Sequence, residues 1–307
     1  MRIIFVSGVK FGYDLLSYVL ENGYKISLII SYADSKKKIY SDYASFDDLA
    51  NKFKIKNLKV QNINDEENIQ IIKKMNPDII LVMGWSQILK DEIISIPVNC
   101  VIGSHPTELP KYRGRAPIPW SIIKGLSESA LTFFYIQEGV DNGDILDQCK
   151  FTISDNDDAT IIYNKITQIG KEMLLKNLRL LESGKANRIK QDNSKFIEYW
   201  KKRVSDDGII DWSKSAKDIH TLIRATTHPY PGAFTFFRES KLKIWKASYC
   251  DKPVLDIGKI IDVGEYGVKV GTGHGIIIIE KVSKNDDLEI LASKIFSMDD
   301  IGITLGK

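Results

Sequence analysis

The stretch "DIILVMGWSQIL" (Asp78–Leu89) contains the two features that decide the fold of this chain. Its first half is a short, uniformly apolar run, and its second half turns polar at once. Similar apolar runs at Arg2–Ser7 and Lys25–Ile30 alternate with amphipathic segments at Gly12–Asn22 and Glu66–Met75. Buried strands that alternate with helices are typical of a parallel sheet covered on both faces. We therefore predict a Rossmann-like, mostly parallel α/β domain.

Two polar segments begin directly after apolar strands of this predicted sheet. Gly84–Leu89 follows the run at Asp78–Met83, and Ser104–Pro110 follows a short run at Cys100–Gly103. Ligands of doubly wound sheets bind beyond the carboxyl ends of the strands. We therefore expect both segments to belong to a functional site at this edge of the sheet.

The second half of the chain has a different pattern. A long helix is predicted at Asp158–Glu182, and a polar, aromatic stretch follows it. Short strands punctuated by glycine then recur between residues 233 and 280, which predicts a small OB-like β-barrel. The predicted organisation is a catalytic domain at 1–195, a linker at 196–214 and a C-terminal barrel at 215–307.

Composition excludes several classes of protein. The net charge of +3 is too small for a strongly basic nucleic-acid binder. The three cysteines, Cys100, Cys149 and Cys250, lie far apart without metal-ligand spacing, which favours a reducing compartment and no metal. No apolar run reaches the length of a membrane span. We expect a cytoplasmic protein without a membrane partner, and the sequence leaves a homodimer open.

A histidine and two aspartates are the candidate chemical groups at the edge of the sheet. His105 stands before a proline, while Asp141 and Asp144 lie in the glycine-flanked loop "GVDNGDI" (Gly139–Ile145) after a strand predicted at Leu131–Ile136. Taken alone, such a loop is common turn chemistry, and the histidine is compatible with an ordinary loop residue. Because both segments end neighbouring strands, we predict that they meet, since a carboxylate orients an imidazole and stabilises its protonated form.

These segments carry a family resemblance. "HPTELPKYRGRAPIPWSIIKG" (105–125) followed by "GVDNGDIL" (139–146) resembles the signature of the folate-dependent formyltransferases. Ser205–Trp212 and Ile223–Phe234 resemble two further motifs of that family. The resemblance covers nearly the whole chain and implies the two-domain fold. It also implies transfer of a formyl group from N10-formyltetrahydrofolate to an amine.

The resemblance also implies roles for particular residues. His105 and Asp141 match the catalytic histidine and aspartate, while Gly103 occupies the position of a family asparagine thought to stabilise the developing oxyanion. Glycine has no side chain for that role, which predicts lower catalytic efficiency rather than another reaction. Trp85 fits either folate binding or packing under the loop. The predicted folate-binding residues are Gly84, Trp85, Ser86, Gln87, Ile88, Leu89, Gly139, Val140, Asp141 and Asp144.

The formyl acceptor is expected to be a sugar nucleotide carrying a 4-amino-4,6-dideoxyhexose, linked to UDP or dTDP. Cations of "PKYRGRAP" suit a pyrophosphate, and the aromatic residues of "EYWKKR" suit a base, although solvated charges and aromatic packing between domains are equally compatible. The predicted substrate-binding residues are Lys111, Arg113, Arg115, Tyr199, Trp200 and Arg203.

Two alternatives remain beside the sugar nucleotide. The first is a methionyl-tRNA formyltransferase, and the second is a catalytically silent protein that binds folate or a nucleotide. The tRNA enzyme is expected to carry a Gly/Arg/Lys-rich loop after its second strand. Here that region, residues 31–48, has three lysines, several aspartates and no Gly-Arg pair, so a nucleic-acid partner is not expected.

Overall fold

The computed structural model describes residues 1–253, 255–284 and 287–306, and these fall into two compact units. The first unit comprises residues 1–117, 127–153 and 163–201. The second comprises residues 118–126, 154–162 and the described residues from 202 onwards.

The first unit is built on β-strands whose core positions are almost fully buried. Its strands are β1 Ile3–Val6, β2 Leu28–Tyr32, β3 Asn57–Val60, β4 Ile79–Val82, β5 Cys100–His105, β6 Tyr112–Gly114, β7 Glu128–Tyr135, β8 Ile145–Thr152 and β9 Glu198–Trp200. The helices up to residue 182 are α1 Lys10–Glu21, α2 Asp47–Phe53, α3 Glu66–Met75, α4 Asp91–Ile94, α5 Pro117–Ile123 and α6 Ala159–Glu182. The last two, α5 and α6, cross the division between the two units.

Seven of these strands form one sheet in the order β3-β2-β1-β4-β5-β7-β8. The strands from β3 to β5 are parallel, whereas β7 and β8 pair in antiparallel orientation. Strands β1, β2 and β4 are buried along their whole length because helices cover both faces, which is why they are apolar throughout. The predicted mostly parallel α/β sheet is confirmed.

We predicted that His105 and Asp141 meet because their segments end neighbouring strands, and the direction of β7 does not support that reason. Because β7 is antiparallel to β5, its last residue, Tyr135, pairs with Ile102 and not with the end of β5. The two loops therefore do not leave the sheet side by side. The segment 136–144 must turn back toward His105 to reach it.

The second unit contains α7 Ala216–Thr226 and an antiparallel sheet. Its strands are β10 Ala233–Phe237, β11 Ser240–Cys250, β12 Ile260–Gly264, β13 Gly267–Gly271, β14 Ile276–Lys284 and β15 Ile290–Leu291. The order is β10-β11-β14-β13-β12, with β15 beside β14. The C-terminal segment joins the two outer strands, since Gly302 N–H donates to Ile260 O of β12 and Gly306 N–H donates to Phe236 O of β10, both at 2.8 Å. The predicted C-terminal β-domain is confirmed.

The segment predicted as a linker contains ordered structure. Strand β9 pairs in parallel with β6, so that Arg113 lies opposite Tyr199. The two units divide between Lys201 and Lys202, inside the predicted linker. The domain boundaries at 195 and 215 stay a prediction.

Candidate active site

His105 is the last residue of β5, and its side chain is almost fully buried, with 5% of the residue exposed. Its Nε2 atom lies 3.0 Å from the main-chain oxygen of Tyr112. Since a carbonyl oxygen only accepts, Nε2 carries a proton. Its Nδ1 atom faces the carboxylate of Asp141, with Oδ2 at 3.6 Å.

The carboxylate of Asp141 is held by the strand beside it. Gly114 N–H, at the end of β6, donates to Asp141 Oδ2 at 2.9 Å. Asp141 itself adopts a left-handed backbone conformation, with φ of 48°. The histidine and the aspartate that the sequence singled out therefore lie next to each other, within ion-pair distance.

This pair has a defined chemical capacity. With Nε2 protonated, the neutral imidazole presents the Nδ1 lone pair toward Asp141. Nδ1 can then accept a proton from a nearby amine, and the adjacent carboxylate stabilises the imidazolium that results. The 3.6 Å separation is longer than a direct hydrogen bond, so the contact is an ion pair once the ring is protonated.

Gly103 lies in β5, two residues before His105, and side chains at the end of β7 pack against it. A Cβ atom at this position would lie 2.9 Å from both Cγ1 and Cδ1 of Ile136 and 3.1 Å from Phe134 Cε1. An asparagine side chain would therefore fit only if Ile136 moved. The family asparagine is absent here, and its space is taken by an apolar side chain.

The loop after β4 is fixed by aromatic stacking. The Trp85 ring stacks on Tyr32 at 3.9 Å, and Tyr32 stacks in turn on Tyr40 at 4.3 Å. Ser86 N–H donates to the Tyr32 hydroxyl at 2.9 Å, and burial raises the pKa of Tyr32. The buried Trp85 Nε1 has no hydrogen-bond partner among the described residues. Trp85 therefore packs against Tyr32, and its part in folate binding stays a prediction.

Gln87 anchors the other side of this loop. Its Nε2 donates to Gln61 O at 2.7 Å, and its Oε1 accepts from Ile63 N–H at 2.9 Å. Gly84 N–H lies 3.3 Å from the Ser104 hydroxyl, which links the loop to β5. The backbone that we assigned to folate binding is therefore held in place from both sides.

A cleft of about 390 Å³ opens between this loop and the loop after β7. Ile88, 73% exposed, stands at its rim, while Leu89 is buried. The volume lies in the range of small-ligand sites, and apolar walls with a few carboxylates suit a planar, amide-bearing ring. The residues present therefore fit a pteridine. The cleft is lined by Ile88, Leu89, Lys90, Asp91, Glu92, Glu138 and Gly139.

The remaining residues of the loop after β7 have separate surroundings. Gly139 has φ of 104°, a conformation that favours glycine, and Val140 is exposed. Asp144 forms an ion pair with Arg188, with Oδ2 at 2.9 Å from Nε, and this contact is structural. Asp144 does not line the cleft described above, unlike Gly139.

The predicted substrate-binding cations have unequal surroundings. Lys111 forms an ion pair with Glu108 at 2.8 Å. Arg113 is only 6% exposed, and its guanidinium donates to Gln191 and Asn193. Arg115 is exposed, and its side chain makes no hydrogen bond or ion pair with the residues that the structure describes.

The aromatic residues among the predicted substrate-binding residues also differ in their exposure. Trp200 is buried and stacks on Tyr112 at 4.6 Å, whereas Tyr199 is 53% exposed beside Phe196. Arg203 belongs to the second unit, where its guanidinium lies over the Trp120 ring at 5.0 Å, and burial lowers the pKa of Arg203. Of these three residues, Tyr199 presents an exposed ring.

Sequence reasoning missed Gln191. The residue is buried, and it contacts both Arg113 and the loop that carries Asp141. It stands in a polar stretch, "KQDNSK" (190–195), where nothing in the sequence distinguishes it from the exposed residues around it. Among the residues that the structure describes, no three His, Cys, Asp or Glu side chains form a metal-binding cluster.

Comparison with known proteins decides the family. Residues 1–178 match the family described as formyl transferase, and residues 203–298 match the formyl transferase C-terminal domain. The chain belongs to the formyl transferase family. It is thus an enzyme that transfers a formyl group, and N10-formyltetrahydrofolate is its co-substrate.

This formyl transferase is similar to the methionyl-tRNA formyltransferase of Clostridioides difficile (strain 630), with 33% identity over 311 residues and 100% of both chains covered. Its fold resembles that of WlaRD, a sugar 3N-formyl transferase, with a TM-score of 0.65, 21% identity, and 94% and 99% of the two chains covered. It also resembles HypX from Aquifex aeolicus in complex with tetrahydrofolic acid, with a TM-score of 0.68, 18% identity, and 96% and 46% covered.

These relationships correct two expectations. Relatives named methionyl-tRNA formyltransferase are 30–34% identical to this formyl transferase over 80–100% of it, whereas the sugar N-formyltransferases share only its fold. The expectation of a sugar nucleotide as acceptor is therefore wrong. The expectation that a nucleic acid is an unlikely partner is wrong as well.

The loop after β2 explains why the second expectation failed. Its aspartates, which weighed against a nucleic acid, are already partnered. Asp34 and Asp47 both bind Lys59, at 2.9 and 2.6 Å, and these contacts lower the pKa of each carboxyl group. Asp42 accepts a hydrogen bond from the Tyr163 hydroxyl, and burial raises its pKa.

The lysines of that loop are not partnered in this way. Lys36, Lys37 and Lys38 lie in a short 3-10 helix directly after β2. Their side chains make no hydrogen bond or ion pair with any residue in the described part of the chain. The loop therefore offers three lysines to an anion, while each of its aspartates is hydrogen-bonded within the protein. A count of its acidic and basic residues does not reveal this.

None of the helices among the described residues is both long and apolar enough to cross a bilayer.

Proposed function

We propose that this protein is a methionyl-tRNA formyltransferase, which transfers the formyl group of N10-formyltetrahydrofolate to the amino group of methionine carried by tRNA. The observation that carries the proposal is 33% identity over both full lengths to a protein of that name. We place the reaction in the cytoplasm, which agrees with three unpaired cysteines.

In this proposal His105 is the base for the attacking amine. The proton that the amine loses passes to Nδ1, while Nε2 keeps its proton on the Tyr112 carbonyl. Asp141, 3.6 Å from Nδ1, stabilises the imidazolium. The assignment rests on the burial of the pair, which strengthens the interaction of the two charges relative to water.

The folate is assigned to the cleft between the loops after β4 and β7. Ile88 and Leu89 supply apolar walls, and Glu138 and the backbone of Gly139 supply polar groups for the amide edge of the pteridine. When bound, N10-formyltetrahydrofolate supplies an activated formyl group. Gln87 and the Tyr32–Trp85 stack hold the loop in position for this binding.

The tRNA is assigned to cations at the same edge of the first unit. Lys36, Lys37 and Lys38 follow β2, and Arg115 follows β6. These four side chains are unpaired within the described residues, so phosphate binding requires no existing ion pair to break. They replace Lys111 and Arg113 as the cations that we expect to contact phosphate.

The test is a formylation assay with purified protein, N10-formyltetrahydrofolate and methionine-charged initiator tRNA. We expect formyl-methionine on the tRNA, detected by mass spectrometry after deacylation. A parallel reaction with nucleotide-linked amino sugars serves as the specificity control. Formylation of a sugar and not of the tRNA would overturn the proposed acceptor.

The chemistry is tested by two substitutions. His105→Ala and Asp141→Asn are each expected to lower kcat by about 10²–10⁴-fold, the contribution of a positioned base. Thermal unfolding of Asp141→Asn should stay close to that of the unmodified protein, since Asn preserves the acceptor for Gly114 N–H. Near-normal kcat in either variant would refute the assigned roles.

A further inference from the structure

Gln191 joins two parts of the first unit that are far apart in sequence. Its Nε2 donates to the main-chain oxygens of Asp141 and Gly143, at 2.8 and 2.6 Å. Its Oε1 accepts from the Arg113 guanidinium, at 2.7 Å from Nη2 and 3.3 Å from Nε. All polar atoms of this amide are therefore used, and the residue is 5% exposed.

The orientation of the amide follows from its partners. A guanidinium only donates, and main-chain oxygens only accept, so Oε1 must face Arg113 and Nε2 must face the loop. Arg113 is fixed in turn, since Nη2 also donates to Asn193 Oδ1 at 2.7 Å and the guanidinium lies over the Phe196 ring. The support that Gln191 offers the loop is therefore rigid.

Asp141 is the residue of the loop that this support reaches. It has φ of 48°, a left-handed conformation that costs most residues other than glycine and that aspartate and asparagine tolerate better. Such a backbone is kept in place by its surroundings. Among the described residues, two hydrogen bonds reach Asp141, and both start from β6: Gly114 N–H donates to its carboxylate, while Arg113 orients the Gln191 amide that donates to its carbonyl.

We infer that Gln191, oriented by Arg113, is a positioning residue that holds the left-handed loop and sets the Asp141 carboxylate against Nδ1 of His105. This inference rests on the proposed roles of His105 and Asp141. Gln191 touches neither the reacting atoms nor the cleft. Its effect on the reaction passes through the loop that carries Asp141.

Gln191→Glu keeps the contact with Arg113 and removes the hydrogen bonds to the loop. One carboxylate oxygen still accepts from Arg113, but the other faces two carbonyl oxygens and has no hydrogen to donate. We expect kcat to fall about 10–100-fold, because a small displacement of a catalytic group is costly, with the KM for N10-formyltetrahydrofolate little changed. If this variant does not fold, Gln191→Met removes the same donor without adding charge.

A second readout does not need substrate. The chain has four histidines, so the ring signals of His105 can be identified by NMR with a His105→Gln variant. In Gln191→Met, which adds no charge, we expect the His105 ring signals to shift, because the carboxylate beside the ring is displaced. A purely structural role for Gln191 would lower thermal stability and leave these ring signals in place.

Ser194→Ala is the matched control. It removes a hydroxyl that donates to Asp192 in the same segment and leaves Arg113, Gln191 and the loop intact. We expect kcat within about threefold of the unmodified protein and unchanged His105 ring signals, since an exposed substitution away from this network has little effect. Unchanged kcat in Gln191→Glu and unchanged ring signals in Gln191→Met would overturn the inference.

Failure of the proposed function is a separate outcome. An unmodified protein that does not formylate methionyl-tRNA would contradict the proposed acceptor. The His105 ring signals of Gln191→Met would still decide whether Gln191 positions Asp141, because they report the surroundings of the ring directly.

Discussion

Two basic segments of the first unit look alike in sequence and differ in the structure. Lys111, Arg113 and Arg115 stand close together in "PKYRGRAP", and Lys36–Lys38 stand together in "DSKKK". In the first segment Lys111 is ion-paired and Arg113 is buried against Gln191. In the second, the three lysines are unpaired within the described residues, and the aspartates beside them bind other groups.

The difference teaches that a charge counts for binding only if the fold leaves it unpaired. The partners that decide this lie far along the chain. Arg113 meets Gln191 and Asn193 about 80 positions away, and Asp34 meets Lys59 from β3. Local sequence therefore favoured a segment in which the fold pairs Lys111 and buries Arg113. Three comparisons of variants test this reversal.

The largest effect is expected at Gly114, inside the first segment. Its φ is 112°, and an added Cβ would lie 2.4 Å from Trp200 O, so Gly114→Ala must displace β6 or β9. We expect a loss of at least about 3 kcal/mol in the free energy of unfolding, measured with urea, and loss of kcat.

Gly184→Ala is the control for this substitution. Gly184 also has a positive φ, of 65°, but nothing lies within 4 Å of its added Cβ. We expect Gly184→Ala to lower the free energy of unfolding by about 1 kcal/mol, the cost of the left-handed conformation alone. Equal losses in the two variants would contradict the close packing of β6 against β9.

The next effect separates Arg113 from Arg115. Arg113→Ala leaves the Oε1 atom of the buried Gln191 without a donor, so we expect about 2 kcal/mol of destabilisation and a lower kcat. Arg115→Ala should leave the unfolding midpoint unchanged and raise the KM for tRNA. A raised KM for tRNA in Arg113→Ala without destabilisation, together with an unchanged KM in Arg115→Ala, would indicate that Arg113 and not Arg115 binds phosphate.

The smallest effect concerns the lysine loop. The double variant Lys36→Ala/Lys37→Ala should weaken tRNA binding and reduce the slope of log Kd against log salt by about 1–2, near 0.9 for each lost phosphate contact. The KM for N10-formyltetrahydrofolate should not change. Fluorescence anisotropy at several salt concentrations measures the slope.

Lys73→Ala/Lys74→Ala is the matched pair for this experiment. These lysines end α3, and their side chains are likewise unpaired within the described residues. The C-terminal end of α3 leads into the start of β4, at the edge of the sheet opposite the site. Equal changes in slope for both double variants would mean that net charge alone, and not the loop after β2, binds the tRNA.

Much of the fold was predictable because burial leaves a clear pattern. The helix at Glu66–Met75 has the predicted bounds, and Asp78–Met83 contains β4. The direction of β7 was not predictable, since an apolar strand reads the same in either orientation. The approach of Asp141 to His105 was therefore expected for an incomplete reason. It depends on how the loop turns back.

The candidate site was predictable where a residue type is itself informative. A histidine before a proline and an aspartate between glycines identified the pair, whereas Gln191 is an ordinary residue in a polar stretch. Trp85 and Trp200 show the limit for aromatic residues, because stacking on Tyr32 and on Tyr112 is invisible in the sequence. Both interpretations of those residues required coordinates to separate them.

The sequence by itself determined the α/β architecture, the edge of the sheet that carries the site, and the two residues proposed for the chemistry. Hydrophobic period and residue type are local properties, so they can be read without coordinates. Tertiary structure decided which cations are unpaired, which residue holds Asp141, and what fills the space beside Gly103. Those outcomes depend on side chains brought together from distant positions, whose contacts no local pattern records.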